Sequence, residues 1–238
     1  MKSKKLYLTT LFTGCLLAGF VSFSEAATLT GKVTFNGTAP APQNIKVDAD
    51  PNCKVMHPDG LTSDDVIINA NGTLKNVFVY VKEGLAGKKY DAPKEPVVFN
   101  QKGCQYSPKV FGIQVNQPLE IVNDDNTLHN VHSLSEKSKP FNMGMPIQGM
   151  KIKKTFTQPE VMVKIKCEVH PWMAAYAGVL DHPFFSVTND TGAFEIKNLP
   201  PGQYVIETWH EKYGVQTQNI TVAGADETKD IQFEYKAA

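Results

Sequence analysis

An all-β chain of sandwich architecture is the expectation here, and three observations carry it. Short β-type apolar runs recur along the 238 residues, each of strand length and rich in Val, Ile, Thr and aromatic residues. Turn pairs punctuate them at Asn36-Gly37, Asn71-Gly72 and Thr191-Gly192. No apolar pattern of helical period persists beyond a turn or two.

In chain order, residues 1–26 read as an export signal. Lys2, Lys4 and Lys5 precede an apolar run from Leu6 to Phe23, and Ser24-Glu25-Ala26 offers a small-x-small cleavage site before Ala27. The run is nearly long enough to span a bilayer. Its Thr and Gly content and the cleavage site favour removal, so the membrane is met only through the removed signal peptide. Phe12-Thr13-Gly14-Cys15 bears a weak likeness to a lipoprotein signal, in which Phe12 fits poorly. The chain is therefore expected to be periplasmic or secreted. Strands are expected at Thr28 to Phe35, Val66 to Ile68, Val77 to Val81, Ile113 to Val115 and Leu119 to Val122. Val161 to Lys166 and Tyr176 to Leu180 read as two more, and a weak signal suggests a helical turn around Ser133 to Lys139.

The length suits one or two domains with a real core. Lys plus Arg and Asp plus Glu balance at 24 each, and every cation is Lys. Without residues 1–26 the balance is 21 against 23, about −2. A nearly neutral chain gives no footprint for nucleic acid and no strong electrostatic capture, so partner docking would lean on an apolar patch. No Ser-His-Asp, paired-carboxylate or phosphate-loop signature stands out, and no enzyme is expected.

The chemistry concentrates in Cys167-Glu168-Val169-His170-Pro171-Trp172-Met173. Thiolate, imidazole and thioether fall within seven residues, and Thr127-Leu128-His129-Asn130-Val131 supplies a second imidazole on a strand-like segment. Two His, one Cys and a weak Met form the ligand set of one-electron copper sites, because soft sulfur suits Cu(I) while imidazole serves either oxidation state. Val161 to Lys166 would end at Cys167, and the short loop would bring His170 and Met173 back to the same metal. Pro171 restricts that loop, and Trp172 is placed to shield it from water. Competing readings are a disulfide half beside a surface His, or half a zinc site, where Met is a poor ligand. The C-x-x-C-H of a c-type haem is absent.

The chain resembles the cupredoxins, and its C-x2-H-x2-M loop is closest to the short ligand loop of amicyanins; plastocyanin and azurin loops are longer. Tyr106 to Val110, Val115 to Asn123 and the Asn123-Asp124-Asp125 turn before His129 are similar to that family's first-ligand segment. The resemblance covers roughly residues 97 to 182, within an expected copper domain of residues 90–182. It implies a Greek-key β-sandwich, a single mononuclear Cu(I)/Cu(II) ion held by His129, Cys167, His170 and Met173, and a redox protein as partner. It selects His129, directly before Asn-Val, over His132, and suggests that Asn130 braces the backbone near Cys167. His170, in an exposed loop, is the expected electron exit, with Pro171, Trp172, Pro146 and Met145 as an apolar docking rim.

Cys15 leaves with the signal, and three pairings of the remaining cysteines are open. A ligand thiolate at Cys167 makes Cys53–Cys104 the consistent disulfide in an oxidising compartment. Downstream, Val187 to Ile196 and Leu199 to Ile206 resemble carboxypeptidase regulatory-like domains, small transthyretin-like β-sandwiches, with Phe194, Ile196, Tyr204 and Ile206 facing a core. That domain is expected over residues 183–238. In one reading residues 28–85 complete it and the copper domain is an insertion; in the other the two domains are consecutive. Met143, Met145 and Met150 read as packing residues, and His182, His210 and Glu211 as ordinary surface groups. The functional expectation is a type 1 copper protein that shuttles single electrons. A copper trafficking or storage protein is the alternative, and a structural or adhesive sandwich would leave the Cys-His-Met cluster unexplained. A copper nitrite reductase would need a second copper and more His than the six present.

Overall fold

The computed structural model describes residues 26–224 and 227–237; the segment read as an export signal, Ala26 apart, lies outside them. The described residues form eighteen strands and one short helix, so the protein is all-β. No described helix is long and apolar enough to cross a membrane.

One sandwich is built from both ends of the chain. Ala27–Asn36 lies between Ala193–Leu199, to which it is antiparallel, and Thr228–Lys236, to which it is parallel. A four-stranded sheet ordered Phe185–Val187, Phe78–Glu83, Gly202–His210, Gly214–Val222 shares a core with it. Side chains alternate along a strand, so Leu29, Val33 and Phe35 turn inward to meet Val79, Val81, Phe194, Ile196 and Ile206. Phe194, Ile196, Tyr204 and Ile206 are all buried, as the sequence pattern requires.

Residues 97–180 form a second pair of sheets. One is ordered Asn142–Met145, His129–Ser133, Glu160–Lys166, Ala174–Leu180, Val110–Gln114; the other Lys151–Lys154, Leu119–Asn123, Val97–Gln101, Tyr106–Ser107. Phe99, Ile113, Leu119, Ile121, Val131, Ile165 and Val179 fill the space between them. Burying each such side chain stabilises by about 1.5–3 kcal/mol.

The two sandwiches touch through Phe78, Tyr80, Val110 and Leu180, with Phe185 and Trp209 against them. Close approach is possible because Gly178 and Gly112 lack a Cβ: one on Gly178 would lie 2.2 Å from the Phe78 ring, and one on Gly112 2.2 Å from the Phe185 ring. Beside this contact, buried Lys109 extends its ammonium to Asp64 at 2.7 Å, Glu211 at 3.3 Å and Asp65 at 3.4 Å.

The single helix, α1 (Pro51–Met56), was not legible in the apolar pattern because it is six residues long and contributes only Cys53 to the interior. Its start is nonetheless conventional. Asp50 is the N-cap, accepting from the backbone of Asn52 and Cys53, and Pro51 occupies the first turn. The helical turn expected around Ser133 to Lys139 is absent; Ser133 ends a strand, and residues 134–139 follow as irregular chain that bends at 136–138.

His182 and His210 are buried rather than on the surface, at 6% and 2% exposure. Each contributes a ring to an aromatic stack, His182 on Phe184 and His210 on Tyr213. Met145 is wholly buried, with Gln101 Nε2 donating to its sulfur, while Met143 and Met150 are half-buried.

Candidate metal centre

Alternation along His129–Ser133 turns His129, Val131 and Ser133 into the sandwich and leaves Asn130 and His132 on the outer face. His129 is fully buried. On the neighbouring strand, Glu160–Lys166 delivers Cys167 to the same end of the sandwich, where the chain turns back. Cys167 N–H donates to the Met173 carbonyl at 3.1 Å, Met173 N–H to the His170 carbonyl at 2.9 Å, and His170 N–H to the Cys167 sulfur at 3.4 Å. A loop closed by these three bonds brings His170 and Met173 back beside Cys167. All three are buried, Met173 in the cluster that contains Cys167.

The donor atoms converge. His129 Nδ1 lies 3.0 Å from His170 Nδ1, and His170 Nδ1 lies 3.8 Å from the Cys167 sulfur. One donor atom from each of His129, Cys167 and His170 falls within 4.8 Å of the others. Asn130 braces the loop, accepting from Glu168 N–H at 3.3 Å and donating to Asn142 Oδ1 at 2.6 Å. The Tyr106 hydroxyl donates to the Asn130 carbonyl.

Two aspartates hold the outer nitrogens. His129 Nε2 is 2.8 Å from Asp125 Oδ2, and His170 Nε2 is 3.0 Å from Asp50 Oδ2. Burial pushes both carboxyls up, but hydrogen bonds more than offset it: from His170, Thr127 and the start of α1 onto Asp50, brought down to about 2, and from His129, Cys104 and Gly103 onto Asp125. An ionised carboxylate only accepts. Each histidine therefore keeps a proton on Nε2, and in its neutral form turns the Nδ1 lone pair inward. Two lone pairs facing at 3.0 Å beside a sulfur repel unless a cation lies among them.

The thiol adds to this. Burial opposes its ionisation, but hydrogen bonds from His129 and His170 bring Cys167 down to about 6. Burial likewise lowers both imidazoles, and their anionic partners, Asp125 and Cys167 for His129, Cys167 and Asp50 for His170, raise them further than burial lowers them. A proton taken up by an imidazole relieves the repulsion in the absence of metal. Two lone pairs, one thiolate and a buried thioether nearby form a donor set that fits a soft, singly or doubly charged transition-metal ion.

The other cysteines lie against this centre. Cys53 and Cys104 are joined in a buried disulfide with Cα atoms 5.7 Å apart, and the Cys53 sulfur is 3.6 Å from His170 Nε2. Trp172 donates from Nε1 to the Cys104 carbonyl at 2.9 Å, and its ring centroid is 5.1 Å from that of His170. His170 is only 2% exposed. The expected exposed histidine is thus corrected: Asp50, α1 and the disulfide cover its outer edge. The apolar rim is corrected in part, since Pro171 and Pro146 are exposed and Trp172 half-buried, but Met145 is inside.

Asp125 and Asp50 were absent from the sequence-derived site. Asp125 stands four residues before His129, in a segment already read as the turn leading to that ligand. Asp50 comes from a polar segment 120 residues from His170; its N-cap pattern signals a helix and says nothing of an imidazole.

Comparison with known proteins bears on the fold alone. Residues 184–236 match the family model described as BOS complex subunit NOMO1-like, second beta sandwich domain. No curated protein matches. Among solved structures, a Cu-containing nitrite reductase from Thermus scotoductus SA-01 is 26% identical over 41% of this chain, at a TM-score of 0.35. The chain spans only 25% of that enzyme's length. A purple cupredoxin from Nitrosopumilus maritimus is 23% identical over 35% of this chain and 98% of its own, at a TM-score of 0.30. An amicyanin point mutant in its Cu(I) form is 18% identical over 44% of this chain and 98% of its own, at 0.32. The reading of the metal centre rests on the side chains above and not on these scores.

Proposed function

We propose that this chain is a type 1 copper protein that carries single electrons, with His129, Cys167 and His170 holding the ion and Met173 supplying a weak fourth donor. The observation that carries the reading is the approach of the two Nδ1 atoms to 3.0 Å beside the Cys167 sulfur, with both outer nitrogens committed to carboxylates. Zinc would ask for a fourth Cys, His or carboxylate in place of Met173. When bound, copper supplies a one-electron couple at a sulfur–nitrogen site. The residues supply rigidity: carboxylates fix both rings, three backbone bonds fix the loop, and Asn130 ties it to the neighbouring strand. Donors this deeply buried leave no open position for a substrate, which favours a carrier over a catalyst and disfavours ready release of the metal.

In the same reading, residues 97–180 are a copper unit inserted into a terminal sandwich. The support is that Ala27–Asn36 and Phe78–Glu83 pair with strands from residues 185–236. The protein would act after export, in the periplasm or outside the cell, with another redox protein as its partner.

The test is to load residues 27–238 with Cu(II) and record the visible spectrum. We expect an intense thiolate-to-copper band that bleaches with ascorbate and is lost in Cys167→Ser, while the circular dichroism stays that of a β-sandwich. A colourless copper complex that gives its ion rapidly to a chelator would sink the electron-carrier reading in favour of trafficking.

A further inference from the structure

The segment before the copper unit reaches into the metal centre, and one of its residues touches a proposed ligand. Asp50 Oδ2 sits 3.0 Å from His170 Nε2 and also accepts from Thr127 Oγ1 at 2.9 Å, while Asp50 Oδ1 caps α1 through Asn52 N–H at 2.8 Å. That carboxylate is held from two sides. Thr127 lies two residues before His129, and α1 is anchored through Cys53 to Cys104. The disulfide lies inside the anchor rather than at its edge: both cysteines are fully buried, and Trp172 and Val47 pack around them. His57, which ends α1, donates from Nε2 to the Gly103 carbonyl at 2.7 Å and fastens the far end of the helix to the same loop.

We propose that Asp50 is the positioning residue for His170, and that the Cys53–Cys104 disulfide serves to keep it there. An imidazole has two edges, and a metal can use only an unprotonated one. A carboxylate fixed on Nε2 keeps the proton on that nitrogen, leaves Nδ1 as a lone pair, and holds the ring with that lone pair toward the Cys167 sulfur. Without Asp50 the ring has no carboxylate on its outer edge, and a proton on Nδ1, donated to His129 Nδ1 only 3.0 Å away, becomes the better arrangement. That tautomer blocks the donor edge. Negative charge on the outer nitrogen also makes the imidazole a stronger donor, which favours the more highly charged metal ion. The segment around α1 is on this view a working part of the site, although it lies outside the sheets that carry the ligands.

The inference rests on the proposed ligand role of His170 but is tested first without metal. Asp50→Ser keeps a good N-cap and withdraws the carboxylate beyond reach of the ring. Asp50→Asn has a single acceptor oxygen for the cap and the ring, so with Oδ1 kept on the α1 cap its NH2 faces His170 Nε2. Long-range nitrogen-15 spectra of the metal-free protein at pH 8 report which ring nitrogen carries the proton. Wild type should show His170 protonated on Nε2, and both Asp50→Asn and Asp50→Ser should move the proton to Nδ1. The double variant Cys53→Ser/Cys104→Ser, with Asp50 intact, should reproduce the Asp50→Ser spectrum. With copper loaded, Asp50→Ser should bind Cu(II) about 10–100-fold more weakly and lower the Cu(II)-to-Cu(I) affinity ratio. Each tenfold change in that ratio is about 59 mV in a one-electron couple. A wild-type His170 tautomer in Asp50→Ser overturns the proposal, and one in the double variant overturns the role given to the disulfide. A shifted tautomer in a protein that forms no coloured copper complex supports the positioning role and sinks the copper reading instead. Should Asp50→Ser fail to fold, the Asp50→Asn spectrum, expected with the His170 proton on Nδ1, and the Cys53→Ser/Cys104→Ser spectrum decide the matter.

Discussion

Two buried clusters of ionisable side chains, built on opposite principles, occupy this protein. Around Lys109 the cluster brings its own cation. Burial works against the ammonium, yet Asp64, Glu211 and Asp65 more than offset it, and Lys212 closes the outer side on Asp65 at 3.2 Å. Around Cys167 every group is a donor toward the same point, and the aspartates that balance the histidines lie on the far sides of the rings. The first cluster is complete as folded; the second, on the proposed reading, takes a metal ion from outside. Buried polar groups of opposite charge that pair with one another hold elements together, whereas buried metal-binding side chains that converge on one point make a candidate binding site.

The contrast is broken most severely at Lys109. Removing one partner of a buried ion pair costs about 3–5 kcal/mol, because a charge is left without its counterpart. Lys109→Ala should sit at the low end, about 3 kcal/mol, since Asp64 and Asp65 retain water and Glu211 a little. Urea unfolding measures it. The copper band should be untouched, and its loss would show that the two clusters are one.

Acid separates them next. Burial lowers the His210 pKa to about 4, below the ordinary value of 6.5. The folded state therefore binds fewer protons than the unfolded chain between those values. The stability from His210 is complete above pH 6.5 and declines as pH falls toward 4, by on the order of 3 kcal/mol. His182, also lowered by burial, acts in the same direction. His129 acts oppositely: its pKa is raised, so its contribution is complete below 6.5 and is lost as pH climbs through the raised value. In the metal-free protein, His210→Gln should flatten the fall in stability between pH 6.5 and 4. An unchanged slope would exclude His210 as its cause.

A cation from outside should stabilise only the incomplete cluster. Free copper at a hundred times its dissociation constant should raise the unfolding free energy by about 2.7 kcal/mol. The same gain is expected in Lys109→Ala, read from melting with and without metal. Equal gains in wild type and Cys167→Ser would mean that copper binds elsewhere.

What the sequence made legible follows the range of the interactions. Strand periodicity and turn pairs are local, so the all-β architecture and the inward faces of Phe194, Ile196, Tyr204 and Ile206 could be read directly. Cys167, His170 and Met173 share one loop, and their spacing is itself the signal. Asp125 was within reach, four residues from His129 on a recognised turn. Asp50 was not, because its contact with His170 depends on where a disulfide-anchored helix settles. The burial of His170 escaped for the same reason: a short loop reads as exposed unless another segment is known to lie over it. The burial of His182 and His210 also escaped, since an imidazole in a strand carries no mark of the aromatic neighbour it will stack on.

The smallest effect is expected at His132, and it sharpens the comparison by its smallness. His132 stands three residues from His129, an odd spacing that places it on the opposite face of the strand. There it pairs with Glu168 through Nδ1 at 2.5 Å, where solvent reaches both side chains. An exposed pair of this kind contributes little to stability. Glu168 has a second cation within reach, Lys166 at 3.0 Å. His132→Gln should therefore leave the melting temperature, the copper affinity and the visible band as they are, while His129→Gln should abolish the band. The opposite result would move the donor set to the outer face of the sheet. There neither Asp125 nor Asp50 could brace it, and nothing would remain to distinguish the Cys167 cluster from a structural one.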